Sequence, residues 1–199
     1  MASDAWSTVP TLAGRHVRLV PLRAEHAAAL GRAGEEGGLS ALTYTFVPGR
    51  DDAGAYVERA LAMQAAGDAL PFAVLDAAGE VVGSTRFYHL DPGVPRATIG
   101  YTWYAIHVQR TPLNTEAKRL LLAYAFEALG CAAVAFETSH LNHRSQAAIE
   151  RLGARRDGIL RAHLRHRDGS LRDTYVYSIL AGEWPAVRTR LDARLENVA

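Results

Sequence analysis

The chain of 199 residues has one cysteine, Cys131, so it can form no internal disulfide, and a secreted, disulfide-stapled design is excluded. Lysine is almost missing as well: Lys118 is the single one among 22 basic residues, the rest being arginine, which reflects mainly a compositional leaning toward Arg and Ala. No stretch approaches the ~18 consecutive apolar residues of a membrane span. The opening MASDAWSTVP has no basic segment leading into an apolar one, so a cytoplasmic protein with no membrane partner is expected. A net charge of +1 gives no strong nucleic-acid signal. Two histidine pairs, His140/His143 and His163/His166, have no cysteine or carboxylate partner in evident metal spacing, so no metal is expected. Repeats, low-complexity linkers and composition breaks are absent too. Residues 1–199 are therefore read as a single domain, with 1–11 as a flexible N-terminus.

What is present is a soluble core-forming composition, 49% hydrophobic and 22% charged. HVRLVP (His16 to Pro21) alternates as a half-buried strand, and Arg23 to Ala33 reads as a short helix. Gly34 to Pro48 is loop-like, and a second helix follows Asp51-Asp52 and stops near Gly67. Three strands, Pro71 to Asp76, Glu80 to His89 and Arg96 to His107, are separated by turn signals at Gly79 and at Asp91-Pro92-Gly93. From Asn114, the residues Ala117, Leu120, Leu121, Tyr124, Ala125 and Ala128 mark one buried helical face ending at Gly130. CAAVAFET (Cys131 to Thr138) then reads as a buried strand, which makes strand, helix, strand a parallel crossover. A helix from His143 to Leu152, a hairpin of Arg155 to Arg165 and Leu171 to Leu180, and a helix from Trp184 to Leu195 complete the chain. The order implies an α+β fold on a mixed, mostly antiparallel sheet. That sheet should splay between the Arg96 and Cys131 strands.

Two strand-to-helix junctions carry the chemistry. In QRTPLNTEAK (Gln109 to Lys118), Thr111 can cap a helix whose first residue is Pro112. The amides of Leu113, Asn114 and Thr115 would then face outward, with Arg110 and Lys118 adding charge, which describes an anion site. In LNHRSQAAIERLGAR (Leu141 to Arg155), Asn142 and Ser145 sit three residues apart on one side of a helix start, and Asn142 equally reads as a plain N-cap. Side by side at one sheet edge, the junctions lie where open α/β sheets hold ligands. Eight arginines against three acids between Arg144 and Arg172 make that region basic.

These segments resemble the GNAT acetyltransferase superfamily, and within it the Rim-type ribosomal-protein N-terminal acetyltransferases. The resemblance runs from LAGRHVRLVPLRAEH (Leu12 to His26) through IGYTWY (Ile99 to Tyr104) and NTEAKRLLLAYAFEALG to the hairpin ending at Leu180. Its most specific part is Asn-x-x-Ser followed by Leu-Gly and the Asp-Gly-Ile-Leu-Arg to Arg-Asp-Thr hairpin. It implies acetyl-CoA as cosubstrate, with pyrophosphate on the amides after Gln109, pantetheine between the splayed strands, and Asn142 against that arm. Two departures stand out. The family's Arg/Gln-x-x-Gly-x-Gly/Ala loop has Arg110, Pro112 and Asn114 at its small-residue positions, and Ile149 replaces the tyrosine many members use as acid, leaving Ser145 for that role.

Acetyl transfer to an amine needs an electrophilic donor, an acid and a base. A backbone N–H near Ile106 to Val108 is the candidate donor, Ser145 the acid, and Glu137 or His107 the base. Tyr101 and Trp103 share one face of their strand and Tyr104 the other, and one of these faces can line the acceptor pocket. The expected acceptor is a small-molecule amine or a peptide N-terminus. Two alternatives stay open, a CoA-binding or interaction module without turnover and an RNA binder built on the basic hairpin, and so does a homodimer through the final helix around Trp184.

Overall fold

The computed structural model describes residues 5–197. A two-residue strand that the sequence did not signal, β1 (Leu12–Ala13), pairs with β2 (Val17–Pro21), where Val17 and Leu19 are buried and Arg18 exposed as alternation requires. A 3-10 turn leads into α1 (Ala27–Glu35). The expected loop after Gly34 contains a 3-10 segment, Glu36–Ala41, bent where Gly37 and Gly38 take positive φ. Next come α2 (Ala53–Ala65) and the antiparallel meander of β3 (Ala69–Asp76), β4 (Val81–Asp91) and β5 (Arg96–Tyr104). The last of these is shorter than expected: it ends at Tyr104, and Ile106–Val108 form a 3-10 turn.

The long helix begins at Pro112 as expected. It runs as α3 (Pro112–Ala123) and then widens into a π turn over Tyr124–Ala128, in which the Leu129 amide donates to the Tyr124 carbonyl at 3.0 Å. Leu113, Ala117, Leu121 and Leu122 form its buried face. Then follow β6 (Ala133–Ser139), α4 (His143–Leu152), the hairpin of β7 (Arg155–Arg165) and β8 (Leu171–Leu180), and α5 (Trp184–Glu196).

The eight strands form one sheet in the order β1-β2-β3-β4-β5-β6-β8-β7. Among the described residues its one parallel pair is β5 with β6, joined across α3 as a crossover. They pair only over Arg96–Thr98 and Ala133–Ala135, and beyond that point they part, which is the expected splay. Helices cover both faces. Trp103 meets α2 through Tyr56 on one side, and Phe87 meets Tyr124 at the end of α3 on the other.

Two expectations change. Residues 5–11 of the segment expected to be flexible are packed, with Val9 buried in the core and the Tyr124 hydroxyl donating to the Ala5 carbonyl at 2.9 Å; residues 1–4 lie outside the described part. The other concerns Trp184, on the helix left open as a dimer contact: its ring turns inward, stacking on Phe126 and donating to Glu127 at 3.0 Å, and so is not itself an exposed contact. Glu116 ties α3 to the first hairpin. Its buried carboxylate accepts the amides of Arg15, His16 and Val17 at 2.9, 2.6 and 3.0 Å. Among the described residues no helix is long and apolar enough to cross a membrane.

Candidate active site

Because β5 and β6 are parallel neighbours, the loops leaving their C-terminal ends share one edge of the sheet, and the gap between the strands opens toward that edge. The α3 junction stands at one side of the gap and the α4 junction at the other. At the first, Thr111 caps α3. Its hydroxyl donates to the Val108 carbonyl at 2.7 Å and accepts the Leu113 amide at 3.4 Å. The Thr111 cap takes the Leu113 amide, which leaves those of Asn114 and Thr115, of the three expected, for an anion. Arg110 is exposed with φ +64°, the conformation that favours glycine, at a strain cost of roughly 1 kcal/mol. Pro112 sits where a missing N–H costs nothing.

Lys118 is not at this anion site. It is 7% exposed and donates to Thr102 Oγ1 at 2.8 Å, with Thr102 in turn 2.7 Å from Thr85 Oγ1. Burial pulls its ammonium down to about 7. The sequence placed Lys118 near the helix start, but the helical turn aims it into the sheet.

At the second junction Asn142 Oδ1 accepts the Ser145 amide at 3.1 Å, the N-cap geometry. Gln146, which sequence reasoning missed, donates to the carbonyls of Ser139 and His140 at 3.0 and 2.9 Å and fastens α4 to the end of β6. Among the described residues the half-buried Ser145 hydroxyl has no hydrogen-bond partner.

The backbone donors near Ile106 are mostly taken. The His107 amide donates to Glu36 at 3.2 Å and that of Val108 to the Ala105 carbonyl at 3.3 Å, so of the three only Ile106 is not so engaged. His107 also changes role. Its Nδ1 lies 2.7 Å from Glu36 Oε2, which fastens the 3-10 turn to the α1–α2 loop.

Glu137, the other candidate base, lies on β6 with its side chain 18% exposed. It accepts the Tyr88 hydroxyl at 3.3 Å, and His89 Nδ1 is 3.9 Å away. Burial, then the Glu137 charge, hold the Tyr88 phenol well above its ordinary value. Between His89, Asp91, Arg96, Thr98 and Glu137 lies an open recess of about 460 Å³. The adjacent part of β5 carries a bulge over Gly100–Trp103 in which Tyr101 takes φ +50°. Gly100 is required there, since a Cβ would stand 2.6 Å from the Tyr88 ring. Of the three aromatic candidates only Tyr101 reaches solvent, at 47% exposure. Trp103 and Tyr104 are core residues, contrary to a role in lining an open pocket. The β7–β8 turn docks on the α1–α2 loop. The Arg167 amide donates to the Thr43 carbonyl at 3.3 Å, and its guanidinium donates to the Ser40 carbonyl at 2.7 Å and lies over Phe46.

Arg86, Tyr88 and Arg172 also belong to this cluster. The one available signal was Arg86 in the middle of the strand VVGSTRFYHL, where it is the one residue with a fixed charge.

The profile of the family described as "Acetyltransferase (GNAT) domain" matches residues 16–155. The chain is 35% identical over 106 residues to "Putative ribosomal N-acetyltransferase YdaF" of Bacillus subtilis (strain 168), covering 53% of this chain and 57% of that one. It thus spans a little over half the length of that curated relative. Among solved structures, a GCN5-related N-acetyltransferase from Brucella melitensis superposes with a TM-score of 0.85 at 32% identity, covering 94% of this chain and 86% of its own. RimJ of Mycobacterium smegmatis in complex with CoA-disulfide shares the fold, with a TM-score of 0.77 at 24% identity over 96% of each chain.

Proposed function

We propose that this chain, which belongs to the GNAT acetyltransferase family, transfers an acetyl group from acetyl-CoA directly onto a primary amine of a small molecule or a protein N-terminus. The observation that carries the reading is the parting of β5 and β6 beyond Thr98 and Ala135, flanked by the Asn114 and Ser145 helix starts. The residues present fit such a cosubstrate: an unpaired strand edge for an extended arm, free helix-start amides with Arg110 beside them for phosphate, and a free hydroxyl at the other helix start. Acetyl-CoA, when bound, supplies an activated thioester.

The chain's own residues do the rest. Asn114 and Arg110 hold anionic oxygens, a contact worth about 0.3–1 kcal/mol for a helix start at the surface. Asn142 fixes the first turn of α4, which carries Ser145 at the end of β6. The Ser145 hydroxyl gives a proton to the departing sulfur. Glu137, partly shielded beside Tyr88, takes the proton the amine must lose, directly or through water. His107 is occupied by Glu36 and is left out of the proton path. As the C–N bond forms and the C–S bond breaks, one proton leaves the amine for Glu137 and one leaves Ser145 for the sulfur, and exchange with water returns the Glu137 proton to the Ser145 oxygen.

A second reading, binding without turnover, is favoured by Pro112 and by the Thr111 cap on the Leu113 amide, which leave fewer phosphate donors than a glycine loop has. Two measurements together test the proposal. Isothermal titration should detect acetyl-CoA binding, and Ser145→Ala should keep that binding while slowing turnover about 100-fold or more. No heat at millimolar acetyl-CoA would overturn the cosubstrate, and full turnover by Ser145→Ala would remove Ser145 as the acid.

A further inference from the structure

Among the described residues three buried side-chain polar atoms have no hydrogen-bond partner, and two of them are arginine Nε atoms, on Arg86 and Arg172. Neither guanidinium has a carboxylate within ion-pair distance. Arg86 lies in the middle of β4 and is 2% exposed. Its Cζ sits 4.1 Å from the Tyr101 ring centroid and 5.2 Å from that of Tyr56, and one of its nitrogens lies 3.5 Å from the Met63 sulfur. An arginine cannot shed its proton, and ring faces compensate a buried charge only in part. The site is therefore short of an anion.

Arg172 approaches the same place from β8. Glu137 pairs with Val176, so alternation puts Val176, Thr174 and Arg172 on the face that carries Glu137. The titratable groups that face it are Tyr88, Glu137 and Tyr101, of which Glu137 carries the charge, and burial lowers the pKa of Arg172 from the ordinary value. The two cations thus converge on Tyr101, the exposed member of the cluster, beside the carboxylate that would receive the amine proton.

We infer that the acceptor carries a carboxylate close to its amine, bound by Arg172 and Arg86 while the amine faces Glu137. The inference rests on the acetyltransferase reading and narrows its substrate class. Tyr101, whose ring covers Arg86, is the side chain that turns aside to admit the carboxylate. A zwitterionic acceptor then meets opposite charges at both ends. The carboxylate can come from a small amino acid or from an acidic residue at the start of a peptide.

The test is kcat/KM on matched pairs that differ only in acid against amide: 4-aminobutanoate and its amide, and peptides beginning with Asp or Asn. Charge-assisted hydrogen bonds predict a preference for the acid of about tenfold or more in the parent. The preference should collapse in Arg172→Gln and in Arg86→Met, each checked for folding by circular dichroism. Which pair shows it identifies the source of the carboxylate. A ratio near one in both pairs, or a preference unchanged in a folded Arg172→Gln, overturns the inference. Should no amine of any kind be turned over, the transfer reading fails, and thermal stabilisation by glutarate against glutaramide decides the subsite. A rise with glutarate only, lost in Arg172→Gln, sustains it; equal shifts overturn it.

Discussion

Replacing Lys118 by methionine should change how stability depends on pH. The ammonium is buried under α3 and donates to a neutral Thr102 hydroxyl at 2.8 Å, and burial brings it to about 7. In the unfolded chain a lysine titrates near ~10.4. Between these values the unfolded state holds a proton that the folded state lacks, so stability rises with pH. Integrating from pH 7 to 9 gives a gain of about 2 kcal/mol from this one group, and below pH 7 the slope fades because both states are protonated. Lys118→Met has no such proton. Urea unfolding of both proteins at pH 7, 8 and 9 should show the parent gaining about 2 kcal/mol relative to the variant. The comparison cancels every other titrating group. Equal slopes would mean that Lys118 stays charged in the fold, and the reasoning from its burial would be refuted.

Glu116→Ala strips the acceptor from three amides of the first hairpin and should cost about 3 kcal/mol, a fall in Tm of about 6–12 °C, whereas Glu116→Gln, which keeps one oxygen, should cost less. A melting temperature for the alanine variant within about 2 °C of the parent would argue against the anchor. Burial pushes the Cys131 thiol up to about 11, so a thiol reagent at pH 8 should label it only in denaturant; fast labelling of the native protein would contradict its placement. Because that pKa is raised, Cys131 subtracts from stability as pH climbs above the unfolded value and toward 11, the opposite sign to Lys118.

Local patterns made much of the fold legible. The apolar spacing after Asn114 located α3, and Gly79 and Gly169, both at positive φ, sit in the turns that their neighbours signalled. The splay followed from a strand that leads into a helix instead of a turn. What stayed hidden depends on partners far along the chain. His107 meets Glu36 across 71 residues, so nothing near it in sequence showed that its ring was taken. Trp103 and Tyr104 were ambiguous because alternation separates two faces without saying which is covered, and helices cover both. Lys118 was read by its distance from a helix start, while its direction is set by the buried face it shares with Leu121 and Leu122. Arg86 lay in a strand read from the turn signals on either side of it. Its lack of a counter-ion became visible only once Tyr101, Tyr56 and Met63 were seen around it.

The most direct test of the central claim is the release of free thiol from acetyl-CoA, followed with the full chain against a panel of primary amines and peptide N-termini. Thiol release that depends on the amine, with the acetyl group recovered on nitrogen, is the result predicted. Tight binding of acetyl-CoA with no amine-dependent release across the panel would contradict it.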